Sequence, residues 1–521
     1  MSTRRQFLAR SATATAAVLL PGIASTRASA APVRGGRFAQ GIFSGDPTPR
    51  GITLSTVLSE VDGAGTVGVE VARDSSFRNV IARKQLPVRE ASGFSAKVRI
   101  TDLEPSERYF YRFETRDRTS QVGRFQTAPA PDSRETVRFA FLSCADYSFG
   151  WYNAYERLAT EDIDFVVCLG DYIYTESEHS VAEGDAVRDD LTGSPNPGRP
   201  DIAREAQTLA DYRAKYALYR TDPALRRAHR QFPWICIWDD HEVQNDFAGS
   251  LPDGGLPGQN YTVARRDAAF QAFFEAMPFV PSGRSRIYRT LRFGRNVDLV
   301  MLDERQYRGD QPCGDKTGPP CPEQPLPRAY LGTSQMAYLK DRLRGSDAAW
   351  KIVGNGALIM PIKVSPVAIG GFDSWQGYLA EREDLLAYLA TQQIKDVIFA
   401  TGDAHTFLAG DVRPAQSTDP ATTVAIEFQS GSITSPAPGD SVPANPANPA
   451  TPPIAIDVLR GFNPWLANGD ISRHGYGVAQ ATRRELKVAF RRMRTIKQRS
   501  TATEPDLSWT IERGQRGLVG H

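Results

Sequence analysis

Six short apolar runs set the frame, because each ends in the same kind of chemistry. They are Phe139 to Asp146, Phe165 to Tyr174, Trp234 to His241, Asp298 to Tyr307, Trp350 to Asn355 and Asp396 to His405. Continuous apolar runs bounded by Gly and polar residues read as strands buried on both faces. Strands of this kind alternating with helical patterns point to an α/β core. In open α/β sheets, ligands bind outside the carboxyl ends of the strands. Several runs that finish in Asp, Cys, Tyr or His therefore predict one converging hydrolytic site.

Helical spacing recurs between the runs, at Trp151 to Thr160, Ala206 to Arg220, Thr262 to Met277, Thr333 to Arg344 and Tyr378 to Gln392. Leu486 to Lys497, rich in basic residues, is a further helix candidate. Val181 to Pro200, Asp310 to Pro327 and the Pro- and Ala-rich Ser435 to Pro453 read as long loops. Ahead of the core, Phe38 to Thr127 alternates as β-rich stretches at Ile52 to Leu58, Thr66 to Ala72, Ser95 to Ile100 and Tyr109 to Glu114. Leu103 to Phe113 is similar to the tyrosine-corner strand of fibronectin type III sandwiches. The expected organisation is a β-sandwich over 37–130, a catalytic domain over 135–500 and a tail over 501–521.

The first thirty residues read as a targeting segment. Thr3-Arg4-Arg5-Gln6-Phe7-Leu8 is a twin-arginine pattern, Ala12 to Ile23 is weakly apolar, and Ala28-Ser29-Ala30 is a small-residue cleavage site. The expectation is export of a folded protein to the periplasm or beyond, with no transmembrane anchor once the segment is removed. A formal net charge of +2 leaves no basic field that would argue for sequence-specific nucleic acid. Of five cysteines, Cys313 and Cys321 flank a Pro-rich loop and suit a disulfide in an oxidising compartment. Cys168 and Cys236 lie inside runs and read as core.

The chemistry concentrates at the run ends. In Gly170-Asp171-x-x-Tyr174, a carboxylate just past a strand can bridge two cations, and a phenolate three residues on favours a hard trivalent ion such as iron. Read alone, that pattern is an Asp cap beside core aromatics; its neighbours favour metal. Cys144 can supply a thiolate that a cation keeps deprotonated, or be a small core hydrophobe. Asp146 is either a ligand or an acceptor behind the ligands. Asp239-Asp240-His241-Glu242 packs acids that repel unless a cation sits among them. His241 could protonate a leaving oxygen or bind phosphate. Asp403 and His405 add another acid and imidazole, and the chain has only six histidines. Asn355 is a candidate neutral ligand or phosphate contact. Arg305 could grip phosphate bidentately or pair with Asp303 or another local acid. There is no Gly-x-Ser-x-Gly elbow, no His-Glu-x-x-His and no Walker A loop.

Taken together, these motifs resemble the PhoD-type alkaline phosphatases and the related phospholipase D-like phosphodiesterases of the calcineurin-like metallophosphoesterase superfamily. The matching runs are Phe38 to Pro47, Ser143-Cys144, Leu169 to Tyr174, Trp238 to Glu242, Leu302 to Tyr307 and Gly402 to Thr406, with weaker ones at Gly431 to Ser435 and His474 to Tyr476. The resemblance implies a two-sheet α/β sandwich flanked by helices, after a fibronectin-III-like β domain. It also implies an iron(III) and calcium centre of two or three ions. Cys144, Asp171 and Tyr174 would hold the iron, with Asp171 bridging, and Asp240 and Asp403 would hold calcium, which prefers oxygen. His405 joins the metal set. His241, Arg305 and Asn355 would act on the substrate, hydrolysed by metal-bound hydroxide. The implied substrate is a phosphate monoester or diester, a phospholipid or nucleotide included. A surface binding protein with a silent catalytic domain is the alternative from another class.

Overall fold

The computed structural model describes residues 31–195, 204–249, 261–314, 318–368, 370–414, 417–441 and 453–520. The targeting segment expected over residues 1–30 lies outside these, as does most of the Ser435 to Pro453 loop.

All six runs form strands, and they divide equally between two sheets. Val137–Leu142, Phe165–Leu169 and Trp234–Ile237 are parallel neighbours in a nine-stranded sheet. Val297–Met301, Trp350–Asn355 and Val397–Thr401 are parallel neighbours in a seven-stranded sheet. Four of the six are buried at every residue, which is why they carry no polar alternation. One apolar core joins the sheets. At its centre Phe165 stacks on Phe139 at 5.3 Å between ring centroids and on Phe293 of the opposite sheet at 4.2 Å.

The expected helices form over Asn153–Leu158, Leu209–Tyr219, Val263–Ala276, Gly332–Gly345 and Leu379–Thr391. Their starts are written locally. Thr208 and Asp211 form a reciprocal capping box, and the Thr262 hydroxyl accepts the Arg265 N–H. Helix Pro223–Gln231 opens on an Asp222 cap with proline in its first turn, then feeds the Trp234–Ile237 strand. Among the described residues, no helix is long and apolar enough to cross a membrane.

The N-terminal β region has its own core, yet it shares a sheet with the rest. Strands Ile42–Thr48, Gly51–Val57 and Ser95–Ile100 extend the nine-stranded sheet, joined where Gly45 pairs with Trp234. A four-stranded sheet containing Gly65–Ala72 and Arg108–Glu114 completes the sandwich, and the two share a cluster that includes Leu54, Val69 and Tyr111. The Tyr109 hydroxyl accepts the Glu104 N–H at 2.9 Å, the bond of a tyrosine corner.

Two expectations are corrected. Leu486 to Lys497 is not a helix: Glu485–Met493 is a strand paired with His474–Ala481, with Leu486, Val488 and Phe490 inward. That period of two outweighs the basic composition. Residues 501–521 are not merely a tail, since Leu507–Glu512 forms the edge strand of the nine-stranded sheet. Cys313 and Cys321 are disulfide-bonded. Cys168 and Cys236 are buried directly opposite each other on neighbouring strands.

Candidate metal centre

The carboxyl ends of the six strands open onto one place. Gly170 makes the tight approach possible. Its φ is +105°, and a Cβ there would lie 2.4 Å from the Asp239 Cβ, so any side chain would drive apart the loops carrying Asp171 and Asp239. Cys144, Asp171, Asp403 and His405 all adopt left-handed backbone, with φ between +53° and +72°. Each such residue costs on the order of 1–3 kcal/mol and persists only where the surroundings impose it. Four at one site mark it as functional.

Cys144 Sγ lies 3.4 Å from Asp171 Oδ2, and the Tyr174 hydroxyl lies 3.3 Å from the same oxygen. Tyr174 also meets His405 Nε2 at 3.0 Å. His405 Nδ1 is 2.8 Å from the Pro436 carbonyl, which can only accept, so Nδ1 carries the proton and Nε2 presents a lone pair. Burial pushes the His405 pKa down to about 4, which keeps it neutral. Ligand atoms of Cys144, Asp171 and His405 lie within 4.8 Å of one another. The same holds for Asp171, Asp240 and His241, for Asp239, Asp240 and Asp403, and for Asp240, Asp246 and Asp373. Asp171 links the first two groups and Asp240 the last three.

These groups are ill-suited to one another without positive charge. Burial, then the Asp240 charge, pushes the Asp171 pKa well up; burial, then Asp239, does the same for Asp403. Burial, then Asp171, raises Cys144 and Tyr174. Asp171 Oδ1 and Asp239 Oδ2 are buried with no hydrogen-bond partner. A cation among them reverses this logic. The donor set fits two kinds of ion, with thiol, phenol and imidazole at one end and carboxylates at the other.

Arg305 is fully buried inside the acid cluster. It pairs with Asp239, with Asp373 at 2.7 Å, and more distantly with Asp240 at 3.5 Å and Asp403 at 3.6 Å. Asp303, the partner considered from sequence, instead accepts the Trp238 indole N–H at 2.9 Å. Asn355 is held by hydrogen bonds to residues outside the four donor groups. Its amide donates to Ala357 O and Thr401 Oγ1, and its oxygen accepts the Trp375 indole N–H at 3.0 Å. Asp146 caps its own loop by accepting Ser148 N–H at 2.7 Å.

His241 stacks on the Tyr174 ring at 4.0 Å, and its Nδ1 meets Glu176 Oε2 at 2.9 Å. The other Glu176 oxygen accepts the Asn245 N–H at 2.9 Å. Burial opposes the imidazolium, but the charges of Asp240, Glu176 and Asp171 outweigh it and raise the His241 pKa. Burial likewise opposes the Glu176 carboxylate, yet His241 holds its pKa at about 2.

Sequence reasoning read Asp239 only as one of two acids at a strand end able to bind a second metal, and gave no role to Glu242, Glu176 or Asp373. Glu242 accepts the backbone N–H groups of Asp171 at 3.0 Å, Tyr172 at 2.7 Å and Asp239 at 2.8 Å, clamping together the loops that carry Asp171 and Asp239. Its place in the Asp239 to Glu242 cluster was the available signal. Asp373 has none, because it lies eighteen positions past the end of the Trp350–Asn355 strand.

The description PhoD-like phosphatase fits residues 139–490, and the N-terminal domain of that family fits residues 23–129. Alkaline phosphatase D of Bacillus subtilis (strain 168) is 32% identical over 498 residues, covering 92% of this chain and 82% of that relative. A solved structure of PhoD matches at a TM-score of 0.82 and 31% identity, over 95% of this chain and 92% of the other. The purple acid phosphatase PPD1 from yellow lupin (Lupinus luteus) seeds shares the fold, at a TM-score of 0.54 and 14% identity, over 93% of this chain and 75% of its own. With its six strand ends, its clusters of potential metal donors and these relatives in agreement, the chain belongs to the PhoD-like phosphatase family and is a phosphoric ester hydrolase.

Proposed function

We propose that the chain is an exported phosphoesterase acting on phosphate monoesters and diesters at a mixed iron and calcium centre. The carrying observation is the pair of donor groups that share Asp171. Cys144, Asp171, Tyr174 and His405 would hold iron(III), for which a phenolate and a thiolate are apt. Asp240 and Asp403, with Asp239 beside them, would hold calcium through oxygen. Bound cations at such a centre supply charge against phosphoryl oxygens and acidify water.

The chain's own residues supply the rest. His241, charged by its acidic neighbours and held by Glu176, donates a proton to the leaving alkoxide. Arg305, enclosed by acids, supports a role in fixing the carboxylates rather than in gripping substrate. Export rests on the Arg4-Arg5 pattern and the Ala28-Ser29-Ala30 site.

The test uses purified mature protein with p-nitrophenyl phosphate and bis-p-nitrophenyl phosphate, before and after EGTA, with calcium restored. Hydrolysis that EGTA removes and calcium restores is expected, and the ratio of rates separates diester from monoester preference. A visible phenolate-to-iron absorption should vanish in Tyr174→Phe. Full activity in protein freed of both metals would refute the reading.

A further inference from the structure

A second charged feature lies away from the centre. The Arg37 to Ile42 segment, the Arg118 to Gln121 turn and helix Pro223–Gln231 enclose a groove of about 550 Å³. Four arginines line it, Arg37, Arg118, Arg226 and Arg230, and no acidic side chain among the described residues does. In a chain with 62 basic and 60 acidic residues, that separation of charge is local and large.

Two of the four arginines, Arg226 and Arg230, are set in place rather than loosely solvated. Arg226 Nη1 donates to Ala39 O at 2.6 Å, and Arg230 donates to Gln121 Oε1. Both are only partly exposed. Among the described residues, Arg118, Arg226 and Arg230 make no ion pair; Arg37 pairs with the exposed Glu60 at 3.1 Å. The neighbouring Asp117 carboxylate accepts the Gly35 N–H at 3.1 Å. Burial, then the charges of the neighbouring Arg227 and, more weakly, Arg226, pushes the Arg230 pKa down. An anion beside Arg230 offsets that cost.

Guanidinium forks match phosphate oxygens two at a time. The volume falls in the range of about 300–1,000 Å³ that suits a drug-sized ligand, larger than a single ion needs. Helix Pro223–Gln231 enters the Trp234–Ile237 strand at its amino end, while Asp239 and Asp240 leave at the carboxyl end. The groove therefore lies toward the opposite end of that strand from the acids of the metal centre. We infer that this groove is an accessory site for a polyanion bearing several phosphate groups, separate from the catalytic centre.

The test is retention of the full mature chain on immobilised linear polyphosphate across a salt series. Arg226→Ala/Arg230→Ala is compared with the parent. The double variant should elute at lower salt, and the slope of log affinity against log salt should fall by about 1.4, at ~0.7 per charge removed. Hydrolysis of p-nitrophenyl phosphate should stay unchanged, which shows that the fold and centre are intact. Arg118→Ala, an exposed side chain, should weaken retention in the same sense and guards against a folding artefact. Inorganic phosphate should displace the chain only weakly. Unchanged retention in both variants overturns the inference. So does equal retention on polyglutamate, which would make the groove indifferent to phosphate, or displacement by inorganic phosphate as effective as by free polyphosphate.

Discussion

Replacing Glu176 by Gln should separate substrates by their leaving groups. Glu176 Oε2 is 2.9 Å from His241 Nδ1, and the two side chains are 2% and 12% exposed. A hydrogen bond to a charged group in such a setting contributes about 1.5–3 kcal/mol. Losing it from the step in which His241 donates a proton slows that step by about 10- to 150-fold. Gln still offers an oxygen to the Asn245 N–H and stays neutral toward His241. An alkyl phosphate, whose leaving oxygen needs the proton, should therefore lose that much kcat with little change in KM. A p-nitrophenyl ester, whose leaving group departs as a stable anion, should lose far less. Metal content should not change, because none of the four donor groups includes Glu176. Steady-state kinetics on both esters, with His241→Gln as reference, decides the matter. If His241→Gln shows the leaving-group dependence and Glu176→Gln does not, the positioning role of Glu176 is wrong. If neither does, His241 is not the acid.

Other expectations follow from the same geometry. Asp171→Ala should abolish bound metal and hydrolysis together, read by elemental analysis and assay; a variant that keeps both removes Asp171 from the centre. Glu242→Ala frees three backbone N–H groups that hold the Asp171 and Asp239 loops, so metal affinity should fall by about 10- to 100-fold. Phe165→Ala, which empties the stack between the two sheets, should destabilise the fold by about 3–5 kcal/mol in denaturant unfolding. Burial pushes Glu427 up to about 7, against hydrogen bonds from Thr401, Ile359 and Met360. Its unfolded value is about 4.3, so the folded chain binds the extra proton between those values and stability falls as pH rises through that window. The loss is about 4 kcal/mol on the alkaline side, and the difference in Tm between pH 5 and pH 8 should shrink in Glu427→Gln.

What the sequence revealed and what it hid have one physical cause. A strand covered on both faces must be apolar throughout, so the six central strands were visible as runs, and so were residues fixed by standing immediately after them. Cys144, Asp171, Tyr174, Asp240, Asp403 and His405 belong to that class. Position along the chain does not say which way a side chain turns, however. Asn355 also ends a run, yet its three hydrogen bonds tie it to Ala357, Thr401 and Trp375. Nor does it say which distant segments meet. Asp373 reaches Arg305 from a loop with no periodicity of its own, and Glu176 reaches His241 from a two-residue strand, Glu176–Ser177. The pairing of Gly45 with Trp234 joins segments 189 positions apart, and alternation fixes only which face of a strand is buried, never its neighbour. The acids also explain why the centre needs its whole surroundings. Asp171 and Asp403 disfavour ionisation where they lie, so the fold places them by backbone constraint, through left-handed φ and the Glu242 clamp, rather than by mutual attraction. Those constraints come from residues far apart in the chain, and they become visible only when the strands are assembled.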